Sequence, residues 1–219
     1  MAQPLFTDAE RDQIRDAVAA AETRTAGEIV PYVVARCGRY EVAAWRAAAL
    51  CGMLAGIAAL ATGAVYDGWG LGWLYTAWAM ALAITLGGLL GALLTRVDAV
   101  RRWFAGTARM AERVHRRAAL AFVEEEVFDT RDRTGILLFV SLFEHRIEVL
   151  GDKGINAKVE QEEWFEVVDL VRDGILTRSL AAGLVAAIDR CGDLLHRRGV
   201  ELRPDDTDEL PDDVRVRDT

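Results

Sequence analysis

Between Arg46 and Arg96 the chain carries one carboxylate, Asp67, and no lysine, arginine or histidine. Two apolar segments flank that residue, at about 47–66 and 71–95. A bilayer core of ~30 Å takes roughly 20 apolar residues as a helix, and each segment meets that length. Asp67-Gly68-Trp69-Gly70 reads as a turn between them, so 47–95 is expected to form a transmembrane helical hairpin. Sequence of ordinary globular polarity lies on both sides. The hairpin therefore reads as an insertion within a folded domain, with 1–46 and 96–200 as the two parts of that domain.

Charge orients the hairpin. Arg36, Arg39 and Arg46 precede the first apolar segment, seven arginines follow the second between Arg96 and Arg117, and the link has none. Cytoplasmic flanks collect Lys and Arg, so both termini and the polar domain are expected in the cytoplasm. Tyr66, Trp69, Trp73 and Tyr75 would form an aromatic belt at the outer interface, with Trp45 and Trp103 near the inner one. The N-terminus lacks a basic region followed by an apolar stretch, so the first span is expected to serve as the targeting signal. Gly52 with Gly56, and Gly87 with Gly91, have the small-residue spacing that lets helix backbones approach. They would pack the hairpin on itself or on another membrane protein.

The net charge of −8 is unevenly placed. Eight acids against three arginines make 201–219 an acidic tail, expected to be disordered. Its acidity argues against a nucleic-acid partner. The lipid bilayer is the expected partner, together with another membrane protein or a second copy. The basic stretch after the second span could hold anionic headgroups at roughly 1 kcal/mol per well-placed residue. Cys37, Cys51 and Cys191 have no metal-binding spacing and suggest no disulfide framework.

Periodicity outlines an α/β domain. Thr7-Asp8-Ala9-Glu10 is a capping-box pattern ahead of Ile14, Ala17, Val18 and Ala21 at helical spacing. Residues 28–35 are β-branched and apolar, a strand in which Pro31 demands a start, bulge or edge position. A helix is expected to run unbroken from Arg96 to about Glu126. An apolar run at 136–142 and an alternating run at 146–150 predict two strands of a hairpin, the first buried on both faces. Two amphipathic helices follow, near 161–173 and 179–196. The sum is a small mixed sheet with helices packed on it, interrupted by the membrane hairpin.

Two stretches carry a family resemblance: Gly27-Glu28-Ile29-Val30-Pro31-Tyr32-Val33-Val34, and the sequence from Arg131 to Ile155 with its Thr134-Gly135 strand start, Arg146 and the Gly151-Asp152-Lys153-Gly154 loop. Together they resemble the TPM-domain family (TPM phosphatase), in particular a bacterial subgroup with a transmembrane hairpin inside the domain. The resemblance spans about 6–198 once the hairpin is removed. It implies a bacterial inner-membrane protein that assembles or maintains a membrane complex, or alternatively a metal-dependent acid phosphatase that binds Ca2+ or another divalent cation. The residues that suit such a cation are Asp129, Asp132 and Asp152, in loops near strand ends, with Glu28 close by. Asp129 and Asp132 equally suit a plainer role, capping a turn and pairing with Arg131 and Arg133. No Walker loop, G-x-S-x-G or His-Glu-x-x-His pattern is present, and catalytic residues remain unassigned.

Overall fold

The computed structural model describes residues 5–65, 76–205 and 209–218. In chain order the elements are α1 (Asp8–Glu22), β1 (Glu28–Val34), α2 (Glu41–Val65), α3 (Ala77–Leu94), α4 (Asp98–Ala105), α5 (Thr107–Glu124), β2 (Gly135–Ser141), β3 (Arg146–Gly151), α6 (Lys153–Asn156), α7 (Phe165–Leu176), α8 (Leu180–Arg197) and β4 (Arg215–Arg217). The strands make one mixed sheet in the order β3-β2-β1-β4. β1 runs parallel to both β2 and β4, while β2 and β3 are antiparallel. The chain is thus α/β, a small mixed sheet with helices packed on it. It divides into two compact units, Met1–Cys37 with Ala111–Thr219, and Gly38–Met110.

In the first unit the two-residue period of the strands separates two cores. Ile29, Val33, Ile136, Leu138 and Val140 face the layer of α1, α7 and α8, meeting Ile14, Val18, Leu184 and Ile188. Val30, Tyr32, Val34, Leu137 and Phe139 face the other way, onto Val114, Ala118 and Ala121 of α5. Both central strands are buried along their whole length, as expected for strands covered on two faces. The capping box is formed: the Thr7 hydroxyl accepts from Glu10 N–H, and Glu10 Oε2 accepts from Thr7 N–H at 2.8 Å. α7 and α8 approach through glycines, since a Cβ on Gly174 would lie 2.6 Å from Gly183 Cα.

Pro31 illustrates how a donor-free residue fits a central strand. Ala35 N–H donates to Arg217 in β4, whereas the Val34 carbonyl accepts from Leu142 on the β2 side. By alternation, position 31 turns its nitrogen toward the β4 side. β4 pairs only with Tyr32, Val33 and Val34, so no partner carbonyl waits there and no ladder bond is lost.

In the second unit, α2 and α3 pack antiparallel through the four glycines picked out in the sequence. A Cβ on Gly52 would meet the Ile84 carbonyl at 3.0 Å, one on Gly87 the Cys51 carbonyl at 2.8 Å, and Gly56 and Gly91 face Ile84 and Ala47. The stretch Glu41–Thr62 and helix α3 are long and apolar enough to cross a membrane, at about 33 and 27 Å of helix. Their outer faces expose large apolar side chains, among them Met53, Ile57, Leu60, Leu86 and Leu89.

Two expectations change. The helix from Arg96 to Glu126 is two helices, because Gly106 adopts φ +85° and ends α4 before α5 begins. The acidic tail is not disordered throughout: residues 215–217 extend the sheet as β4, with Leu210 and Val214 buried in the two cores. Arg215 and Arg217 both reach Glu125, so the positive charges at the tail's end are what dock it. The expected belt residues Tyr66, Trp69, Trp73 and Tyr75, and the 67–70 turn, lie outside the described residues, whereas Trp78 is 86% exposed in the first turn of α3.

Docking of the tail has a measurable weight. Truncating Leu210 and Val214 together to alanine is expected to lower the stability of the full-length protein by about 2–4 kcal/mol in chemical denaturation. An unchanged unfolding midpoint would mean the tail contributes no core.

Candidate functional site

The sheet offers two polar ends. At the amino ends of β1 and β2 lie the loops containing Asp129, Asp132 and Asp152. The antiparallel return of β3 brings Asp152 to the same end, where Gly151 pairs with Ile136. Ligands in α/β sheets usually sit at the carboxyl ends of parallel strands, so the three aspartates occupy the opposite side from that rule. Glu28, buried at the start of β1, is at this end and accepts from Glu209 N–H at 3.3 Å.

Each part of this end is built for charge pairing. Arg133, held at φ +58°, grips Asp152 with two bonds, Nε to Oδ2 at 2.5 Å and a second nitrogen to Oδ1 at 3.2 Å. The same Asp152 caps α6 by accepting from Lys153 N–H at 2.7 Å. Asp132 pairs with Arg203, and Arg131 pairs with Asp205 at 2.9 Å. The bond to Arg131 holds the Asp205 carboxyl below the usual carboxylate range, and the bond to Asp152 raises the Arg133 guanidinium. Gly135 and Gly154 close the loops: a Cβ on Gly135 would collide with the Val127 carbonyl, and one on Gly154 with the carbonyls of Asp132 and Arg133.

These residues do not fit a calcium site. Calcium asks for roughly six to eight oxygens converging at ~2.3–2.6 Å. Here Asp152 spends both oxygens on Arg133 and Lys153 N–H, and Asp132 is turned onto Arg203. Among the described residues no three His, Cys, Asp or Glu side chains gather as a metal would require. The plainer expectation needs amending too, because the arginine partners are exchanged. Arg133 serves Asp152 rather than Asp132, and Arg131 serves the tail residue Asp205.

The carboxyl ends of β1 and β2 hold a cluster that the sequence left unnoticed. Cys37 Sγ lies 3.3 Å from Ser141 Oγ, and the Ser141 hydroxyl donates to Glu144 Oε2. Cys37 N–H donates to the other oxygen of Glu144 at 2.9 Å. Ser141 and Glu144 are buried. The parallel register makes the cluster: Val34 pairs with Ser141, which carries Cys37 past the strand end into reach. Beside it, Arg117 of α5 donates to the Tyr32 hydroxyl at 2.6 Å and stacks over the ring. Burial pushes the Cys37 thiol up to about 11, with the Ser141 contact opposing that shift and nearby Glu144 adding to it. At neutral pH it is a thiol, which is a poor nucleophile and metal ligand. The cluster therefore closes the end of the sheet with satisfied hydrogen bonds.

Between α1 and α8 a groove of about 620 Å³ is lined by alanines 17, 20, 182 and 186 with Val185, and rimmed by Asp16 and Asp189. A second concavity, of about 340 Å³, includes Arg24, Asp193 and His196. There Arg24 is already engaged by Asp189 and Asp193.

No protein-family model and no curated protein matches the chain. Among solved structures it is similar to the NMR structure of the BA42 protein from the psychrophilic bacterium Bizionia argentinensis, with a TM-score of 0.60 over 99% of each chain at 18% identity. At that identity the likeness extends to the fold alone.

The elevated Cys37 thiol sets a reactivity profile. Its alkylation by iodoacetamide in the folded protein is expected to be slow at pH 8 and to keep rising past pH 9 toward 11, since the thiolate forms only there. A rate that levels off near pH 8–9, followed by mass spectrometry of the Cys37 peptide, would contradict the buried environment. In the second unit, Gly91→Val should lower the melting temperature in detergent by several degrees, because Ala47 leaves no room for the branch. Leu86→Val on the exposed face should leave it nearly unchanged.

Proposed function

We propose that this chain is an integral inner-membrane protein whose TPM-like α/β domain acts as an interaction or assembly module for another membrane protein. One observation carries the reading. Two span-length apolar helices pack on each other through glycines, expose apolar outer faces, and lie in the chain between two strands that pair directly in one sheet. In water such faces would be a contiguous exposed apolar surface, which soluble monomers avoid. In lipid they are the expected exterior. Because the glycines are consumed within the pair, recognition of a partner falls to the remaining surfaces, such as the acid-rimmed groove between α1 and α8.

The two spans form a hairpin inserted in the domain, with both termini cytoplasmic. Exposed Arg39, Arg96 and Arg109 flank the apolar helices on the side expected to stay inside. Trp45 and Trp78, both strongly exposed, begin the two helices where aromatic anchors settle.

Topology and partnership are tested separately. A membrane-impermeant thiol reagent applied to intact cells should label Gly68→Cys in the link and spare Thr207→Cys. The reverse pattern would place the domain outside. In vivo crosslinking followed by detergent purification and native mass spectrometry should then yield a complex with a second membrane protein. Recovery of the isolated monomer in repeated preparations would remove the assembly role.

A further inference from the structure

Helix α4 is built inside out for water. Ala99, Val100, Trp103 and Phe104 form one side of it, and Asp98, Arg101 and Arg102 the other. A helix on a soluble protein would bury the first side. Here Trp103 is 72% exposed and Ala99 is exposed, Val100 and Phe104 are half-buried, and the Arg101 side chain is only 26% exposed. Arg101 Nε donates to the Thr95 carbonyl at the end of α3, 2.9 Å away, and Arg46 of α2 donates to the Phe104 carbonyl at 3.0 Å. The arginines thus fasten α4 to the ends of both apolar helices and leave Ala99 and Trp103 facing outward.

We infer that α4 is an in-plane anchor that seats Trp103 at the headgroup–acyl boundary and, with Arg96 and Arg109, binds anionic phospholipid headgroups. The inference rests on the membrane reading above. Three observations fix the occupant as lipid. Only Thr95, Arg96 and Val97 separate the last residue of α3 from α4, so a bilayer that holds α3 brings α4 to its surface. The outward side carries tryptophan, the side chain that partitions to that boundary. Arg96 and Arg109 are exposed and make no ion pair among the described residues, leaving two guanidinium forks of the geometry that phosphate accepts. Asp98 is the one acid on α4, and it lies 4.0 Å from Arg101.

The full-length protein in lipid nanodiscs tests this. In a background of Cys37→Ser, Cys51→Ala and Cys191→Ala, nitroxide labels are placed singly at Trp103→Cys, Val97→Cys and Leu86→Cys. Collision with oxygen and with an aqueous nickel chelate then reports depth. Labels at 103 and 97 are expected about 5–10 Å below the headgroups, with 86 deeper. Labels at 103 and 97 in water with 86 in lipid would overturn the anchor while leaving the spans intact. A label at 86 in water would overturn both. For the headgroup, phosphatidylglycerol and phosphatidylcholine are titrated into the detergent-solubilised protein and counted by native mass spectrometry. The preference for phosphatidylglycerol should fall roughly 25-fold in Arg96→Gln/Arg109→Gln, the equivalent of ~1 kcal/mol per arginine. Equal binding of the two lipids by the unmodified protein, or an unchanged preference in the variant, would overturn the assignment.

Discussion

Everything in the first unit depends on the parallel pairing of β1 with β2. It joins Glu28 to Gly135 and continues in register to Val34 and Ser141. Parallel neighbours cannot be linked by a tight turn and need a crossover. Among the described residues that crossover contains four helices, the last of which, α5, returns to cover one face of the two strands. Closing so long a connection is affordable because the entropic cost grows only by about 0.6 kcal/mol per doubling of length. Most of the intervening chain is also helical and self-packed. The sheet therefore tolerates two apolar helices in its connection without giving up its register.

How much of this was legible follows from which signals are local. The capping box at Thr7, the alternating strand at 146–151 and the apolar helices carry their instructions locally; box and strand form where expected, while α2 begins earlier, at Glu41, and α3 is described from Ala77 on. The break at Gly106 was hidden because helical periodicity resumes in phase on either side of a single glycine. β4 was hidden for another reason. Three residues, Arg-Val-Arg, inside an acidic stretch have no strand pattern of their own; they become a strand because β1 offers an open edge and Glu125 attracts both arginines.

The same division explains the site. Carboxylates in loops are visible in a sequence, but the arginine each one meets is set by the fold. Arg203 and Asp205, which take up Asp132 and Arg131, come from the far end of the chain. The Cys37, Ser141 and Glu144 cluster was invisible for a related reason, since only the parallel register brings Cys37 beside Ser141. Where a metal site was expected, Asp152 is held by Arg133 within the loops and Asp132 by Arg203 of the tail, and the cluster at the opposite end is a hydrogen-bonded cap.

The position of β4 also has a consequence in time. β1 emerges from the ribosome early, and the strand that covers its free edge follows about 180 residues later, or roughly 10–40 s at ordinary elongation rates. Throughout that interval the edge at Tyr32–Val34 has no partner on one side, while the long apolar helices α2 and α3 are already being made. Pro31 limits the hazard, because a passing strand finds no donor at that position. A nascent chain with so little edge to offer can wait for its own last strand.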